Sequence, residues 1–217
     1  MQRNGPTPRI TVIVVDDDPH ARAALSLMLK APGIELLACC ETARAALTTA
    51  SYQPPQVALI DLHLGTHPRE GIDLIRALRA QSPSTICIVL TASETDDDTL
   101  SDAVAAGAHA CLRKGYVGGE KLPGIIERAA AGLSELDPEL ARQLLRRTRG
   151  PASPSAPPGS PAHLLTDPER MILQNATLGL GTGEIASTLL LTEASVSRHI
   201  RNITDKFQTG AYGQAIP

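Results

Sequence analysis

Residues 11–20 read TVIVVDDDPH, and the fold turns on how that stretch is parsed. Thr11 to Val15 are all β-branched, the side chains that suit a pleated, packed strand. Asp16, Asp17 and Asp18 follow at once, and Pro19 opens a helix-like stretch. Three adjacent carboxylates repel one another at neutral pH, so either solvent screens them or a cation sits among them.

The same strand-then-helix unit recurs along the chain. Apolar, β-rich runs occupy Ile10–Val15, Ile34–Cys39, Val57–Ile60, Thr85–Leu90 and His109–Leu112. Between them, helical patterns cover Pro19–Lys30, Thr42–Ser51, Gly71–Gln81, Thr95–Ala106 and Gly119–Gly132. Five such units with non-alternating strands predict an α/β fold, a five-stranded, doubly wound parallel sheet covered on both faces. Ligands of such folds collect where loops leave the carboxyl ends of the strands.

Composition limits the alternatives. The chain has 217 residues, 42% hydrophobic but only 2% aromatic and without Trp, so any core is built from Leu, Ile, Val and Ala. A formal net charge of −3 provides no global attraction to nucleic acid or anionic membrane, so such binding has to be local. Cys39, Cys40, Cys87 and Cys111 lie in apolar segments without CxxC spacing and read as buried thiols. MQRNGPTPRI has no apolar signal core and no 18-residue apolar span occurs, so the expectation is a cytoplasmic protein without a membrane partner.

A composition break follows the fifth unit. Residues 133–163 hold a short helical pattern, Asp137–Arg147, and then TRGPASPSAPPGSPAH, whose Pro, Ser, Gly and Ala cannot pack a core and read as a linker. Residues 164–217 form a second, all-α unit. Thr166 is its first N-cap, with Pro168 in the first turn and Glu169 completing a capping box. TGEIASTLL and TEASVSRHIRNITDKF supply two more helices, the last capped near Thr192, giving a helix-turn-helix pattern.

Four of the five strands of the first unit, residues 9–132, end in chemistry. Asp16 and Asp17 end the first, Asp61 the third, Thr91 the fourth and Lys114 follows the fifth. In a parallel sheet these ends share one edge, so carboxylates, a hydroxyl and an ammonium converge. Clustered carboxylates favour a hard, oxygen-liganded cation, here Mg²⁺, which answers the repulsion among the aspartates. Asp61, rising alone from a buried strand, is the candidate phosphoryl acceptor, with Thr91 and Lys114 as phosphoryl contacts. Asp18 reads as a helix-start carboxylate and Asp96–Asp98 as a solvated first turn. His63, His67 and His109 lack paired ligand spacing.

VVDDDP, LIDLHL, LTAS and LRKG, with Asp17, Asp61, Thr91 and Lys114 separated by 44, 30 and 23 residues in turn, resemble the receiver domains of two-component response regulators. The resemblance implies a flavodoxin-like receiver whose Asp61 takes phosphate from a sensor histidine kinase. It also implies that Asp17, Asp61 and the His63 main-chain carbonyl bind Mg²⁺, that Asp16 assists, and that Ala92 leaves room beside Thr91. Two features depart from the family: the loop DLHLGTHPREG is longer and lacks the usual Pro, and Cys111 holds the position three before the lysine where an aromatic switch residue often stands.

LTDPER, GEIASTL and TEASVSRHIRNITDKF resemble the LuxR/NarL-type helix-turn-helix domain, which implies control of transcription at promoter DNA. Val196, Ile200, Ile203 and Phe207 recur at helical spacing as a core face. Ser195, Ser197, Arg198, Arg201, Asn202 and Thr204 fall elsewhere on the helix as candidate DNA contacts, Arg198 and Arg201 foremost. His199 reads as a packing or phosphate-contacting residue. From His163 onward four Lys/Arg face five Asp/Glu, and Ser197 and Gly183 replace residues that are usually Lys and polar or basic. Ala211–Ile216 offers barely a turn and a half where the family continues into a fourth helix, so homodimerisation is expected at the receiver surface.

Two alternatives stand beside the transcription factor. One is a phosphorylation-dependent protein-interaction module whose helix-turn-helix no longer reads DNA. The other is an aspartyl-phosphate phosphatase, against which His63 stands where such hydrolases carry a second carboxylate. The expectation is a regulator rather than an enzyme, beyond assisting its own phosphorylation and dephosphorylation.

Overall fold

The computed structural model describes residues 9–67, 69–91, 97–115, 121–133, 136, 138–148 and 165–210. Five parallel strands, β1 (Ile10–Val15), β2 (Ile34–Cys40), β3 (Val57–Asp61), β4 (Ile86–Thr91) and β5 (Ala110–Arg113), form one sheet in the order β2-β1-β3-β4-β5. β1 has the bounds expected from its β-branched run, while β2 to β5 each run one residue further at the carboxyl end. The reason is that Asp61 still pairs with Leu90, and Thr91 with Arg113, so the hydrogen-bonded ladder outlasts the apolar run by one polar residue.

Alternation within the strands divides the core into two layers. Val12 and Val14 face a cluster with α1 (Pro19–Met28) and α5 (Lys121–Ala130). Ile13 and Val15 face α2 (Ala43–Tyr52), α3 (Glu70–Gln81) and α4 (Asp97–Ala106). Asp18 caps α1, its Oδ1 accepting the His20 N–H at 2.8 Å, and Thr42 caps α2 through the Ala45 N–H at 3.2 Å. The cysteine expectation needs one correction. Cys40, Cys87 and Cys111 are buried free thiols, but Cys39 is exposed, because it lies on the open face of edge strand β2.

Gly71, in the first turn of α3, marks the tightest approach in this domain. A Cβ there would stand 2.5 Å from the Asp61 carbonyl oxygen, 2.6 Å from that of Leu62 and 2.7 Å from the Leu62 Cα. Only a residue without a side chain lets α3 start directly against the end of β3, the strand that carries Asp61.

The second domain comprises α7 (Asp167–Thr177), α8 (Thr182–Thr188) and α9 (Glu193–Gly210). Its capping box forms as expected: the Glu169 carboxylate accepts the Thr166 N–H at 2.6 Å, with Pro168 in the first turn. Glu169 is only 2% exposed and is also held by Lys206 Nζ at 2.6 and 2.8 Å, which ties the start of α7 to α9. Burial alone would raise its carboxyl pKa, but the bonds from Lys206 and Thr166 outweigh burial and hold it below the usual carboxylate range. Val196, Ile200 and Ile203 fill the core as the spacing predicted; the Phe207 side chain lies outside the described residues.

Between the domains, α6 (Pro138–Thr148) buries Leu140, Ala141, Leu144 and Leu145 against α7, with a lighter contact to α4. The helix expected within the linker segment is therefore packed on the second domain. Residues 149–164, and the expectations placed on Ala92, Asp96 and Ala211–Ile216, lie outside the described residues. Among the described residues no helix is long and apolar enough to cross a membrane.

Candidate functional site

The carboxyl ends of β1, β3, β4 and β5 bring the expected residues to one edge. Asp16 is 1% exposed, Asp61 7% and Thr91 1%, while Asp17 is exposed. Lys114 Nζ reaches across to Asp16 Oδ2 and Asp61 Oδ2, each at 2.8 Å, and its own N–H donates to the Thr91 carbonyl at 2.8 Å. Strand pairing sets this geometry: β4 lies between β3 and β5, so Thr91 ends level with Arg113, one residue before Lys114.

The loop after β1 is held by Arg22, whose Nη1 donates to the carbonyl oxygens of Asp16 at 2.7 Å and Asp17 at 2.9 Å. Its partners are main-chain atoms, so no pairing pattern in the sequence announces it. The long loop after β3 is anchored from both sides. Leu62 and Leu64 are buried, and Gly65, at φ +60°, turns its N–H to the Asp17 carboxylate at 3.1 Å. That left-handed conformation is one glycine adopts readily. The Asp61 Oδ1 accepts the His63 N–H at 3.3 Å.

Electrostatics at this edge are balanced by position. Burial pushes the Asp61 carboxyl up, against the pull of the Lys114 ammonium, with the Asp16 charge adding to the rise. Burial opposes the charge on Lys114, but its bonds to Asp16 and Asp61 outweigh that and hold its pKa above the ordinary value. One carboxylate oxygen from each of Asp16, Asp17 and Asp61 lies within 4.8 Å of the others, three hard oxygen donors that fit Mg²⁺. The Lys114 ammonium, with the Arg22 guanidinium bound to the main chain of Asp16 and Asp17, sets two positive charges against three carboxylates, so the cluster keeps a negative charge that suits a cation.

The candidate DNA contacts divide into two stripes of α9. Arg198 and Asn202 are exposed and Ser195 is half-buried. Ser197, expected on an accessible face, is instead completely buried at 0%. The Arg201 Nη1 donates to the Gly132 carbonyl, just past α5, at 3.1 Å, and Glu193 pairs with Arg128 of α5 at 3.3 Å. α9 also packs along α4. Glu193 and Arg201, one turn to either side of buried Ser197, reach the first domain while keeping much of their side chains in solvent. Arg128, Gly132 and Glu193 carry no sequence signal for such a role, because their partners lie in the other domain.

Comparisons with known proteins cover both domains. Residues 12–126 match the family model described as response regulator receiver domain, and residues 163–216 match bacterial regulatory proteins, luxR family. The chain is 31% identical over 198 residues to the DNA-binding transcriptional activator DevR/DosR of Mycobacterium tuberculosis, covering 91% of this chain and 88% of that protein. It is 31% identical over 196 residues to the nitrate/nitrite response regulator protein NarP of Escherichia coli, covering 90% and 87%. Among solved structures, the RcsB response regulator of Salmonella typhimurium shares the fold with a TM-score of 0.57 at 19% identity, over 93% of each chain.

Proposed function

From the premise that this chain belongs to the DNA-binding response regulators, with a receiver domain and a luxR-family domain, we propose that phosphorylation of Asp61 by a sensor histidine kinase frees α9 to bind promoter DNA. The observation that carries this reading is the Lys114 ammonium held 2.8 Å from both Asp16 and Asp61 at the strand edge.

Asp61 is the nucleophile. One of its carboxylate oxygens attacks the phosphorus of a phosphohistidine, forming a P–O bond as the P–N bond breaks and the imidazole leaves with the electron pair. Lys114 supports the ionised Asp61 before transfer and pairs with a phosphoryl oxygen after it. Thr91 donates its hydroxyl to another. Mg²⁺ held by Asp16, Asp17, Asp61 and the His63 carbonyl would supply charge neutralisation for the incoming phosphoryl group. Asp17 is oriented by the Gly65 N–H, and Arg22 fixes the main chain beneath both aspartates.

The output follows from the position of α4, which continues from the β4 end that Thr91 closes and packs on α9. A helix seated in the major groove needs both flanks clear, since the groove is about 12 Å wide and the helix about 10–12 Å across. With its 193/197/201 stripe against the receiver, α9 is held away from DNA. Phosphorylation shifts α4 and so biases release. Two copies on DNA, joined through the receiver surface, complete the reading.

The test is acceptance of a phosphoryl group from a small phosphodonor, scored by mass, followed by binding to a pool of genomic DNA fragments. Uptake that needs Mg²⁺ and disappears in Asp61→Ala, with fragment enrichment that follows it, is the expected result. Uptake without any DNA enrichment would favour a protein-interaction module instead.

A further inference from the structure

Glu193, Ser197 and Arg201 succeed one another at four-residue spacing and so share one stripe of α9. Both ends of that stripe are tied to the receiver, Glu193 to Arg128 at 3.3 Å and Arg201 to the Gly132 carbonyl at 3.1 Å. Ser197 stands midway, is completely buried, and its hydroxyl has no hydrogen-bond partner among the described residues. Elsewhere in the chain helical hydroxyls bond back to a carbonyl one turn earlier. Ser187 does so to Gly183 at 3.0 Å, Thr188 to Glu184 at 2.8 Å and Thr204 to Ile200 at 2.9 Å. Ser197 forgoes that bond although its oxygen is buried.

We propose that Ser197 is a built-in weak point of the closed receiver–α9 interface, which sets how readily the receiver releases the recognition helix. The idea rests on the reading of α9 as the occluded DNA-binding helix. An unpaired hydroxyl is a cost carried only while the interface is shut. On opening, water satisfies it at once, so the open form gains relative to the closed one without any change in the ties at Glu193 and Arg201. The interface is thereby held shut by Arg128 and Gly132 and loosened from its middle by Ser197. The position keeps the closed state shallow enough for one phosphoryl group to overturn.

Ser197→Ala removes the unpaired group and leaves the ties in place. The full-length protein carries dyes at Tyr52→Cys and Leu178→Cys, two exposed sites outside the interface, in a Cys39→Ser background. Energy transfer reads domain closure while Mg²⁺ and beryllofluoride, a phosphoryl mimic, are titrated; DNA is omitted so that lost DNA contacts do not enter. Ser197→Ala is expected to raise the beryllofluoride concentration for half-opening about five- to tenfold, the weight of one unpaired buried hydroxyl. Arg128→Ala, which cuts a tie, is expected to lower it. If Arg128→Ala opens more easily but Ser197→Ala matches the parent or opens more easily too, the proposal is overturned and the closed interface stands. If neither variant moves the midpoint, the occluded-helix reading fails with it.

Discussion

Replacing Gly71 by alanine sets two well-defined effects against each other. Gly71 lies in α3 without a positive φ, so intrinsic propensity alone predicts that Gly71→Ala stabilises the helix by about 0.5–1 kcal/mol. The added Cβ, however, falls 2.5, 2.6 and 2.7 Å from three main-chain atoms of Asp61 and Leu62. Ordinary carbon contacts sit at about 3.5–4.0 Å, so α3 and the end of β3 have to separate by nearly 1 Å. Neither side is a flexible side-chain tip, and overpacking of this kind costs roughly 1–3 kcal/mol. The packing effect wins, leaving a net loss of about 1–2 kcal/mol. The same displacement moves Asp61, and misplacement on that scale slows a positioned reaction by about 100-fold. Urea unfolding followed by circular dichroism measures the first effect, and mass-detected phosphorylation from a small phosphodonor measures the second. A variant more stable than the parent and phosphorylated at the parental rate would refute the reasoning.

Other perturbations have equally defined outcomes. Leu190 sits at φ +55° and is 93% exposed in the turn between α8 and α9; Leu190→Asn relieves the left-handed strain without losing burial and raises stability by about 0.5–1 kcal/mol in thermal melts. Lys206→Met strips the counter-charge from buried Glu169 and costs about 3 kcal/mol, measured by the same unfolding assay; a neutral result would mean that the Thr166 N–H alone suffices. Burial, reinforced by Arg79 and Arg201, lowers the His109 pKa from 6.5 to about 4, so the unfolded chain takes up that proton first. This group's stability contribution is therefore complete above pH 6.5 and is lost as pH falls toward 4, about 3 kcal/mol in all. His109→Asn, which keeps an acceptor for the Cys87 N–H, flattens the pH dependence of unfolding in that window.

The readable part of the sequence was the part written locally. β-Branched runs announced the strands, and polar residues at their ends announced the edge where Asp16, Asp61, Thr91 and Lys114 meet, because in a parallel sheet chain direction alone decides which end faces which. The cap at Thr166 and the helix-start carboxylate Asp18 were legible for the same reason, since each bonds to its own first turn, whereas Thr42, read as the first residue of its helix, is instead the cap. Arg22 was not legible, because it bonds to carbonyl oxygens that every residue possesses. Ser197 and Cys39 show the limit from two sides. The exposure of Cys39 follows from β2 lying at the sheet edge, and Ser197 is buried between two residues that bond across to the first domain. Neither depends on neighbouring residues, so no local pattern carries it.

The docking of α6 on α7 changes what the Pro- and Ser-rich stretch can do. Residues 149–164 join two helices that already touch, so their length does not set the spacing of the two domains. The leash between receiver and recognition helix is then the seven-residue junction 131–137, which at full extension reaches about 25 Å. A leash that short would keep a released α9 at high local concentration around its own receiver. Lengthening the Pro/Ser stretch would leave recapture unchanged, whereas a few residues inserted before Pro138 would dilute it, so drift in length is tolerable on one side of α6 and consequential on the other.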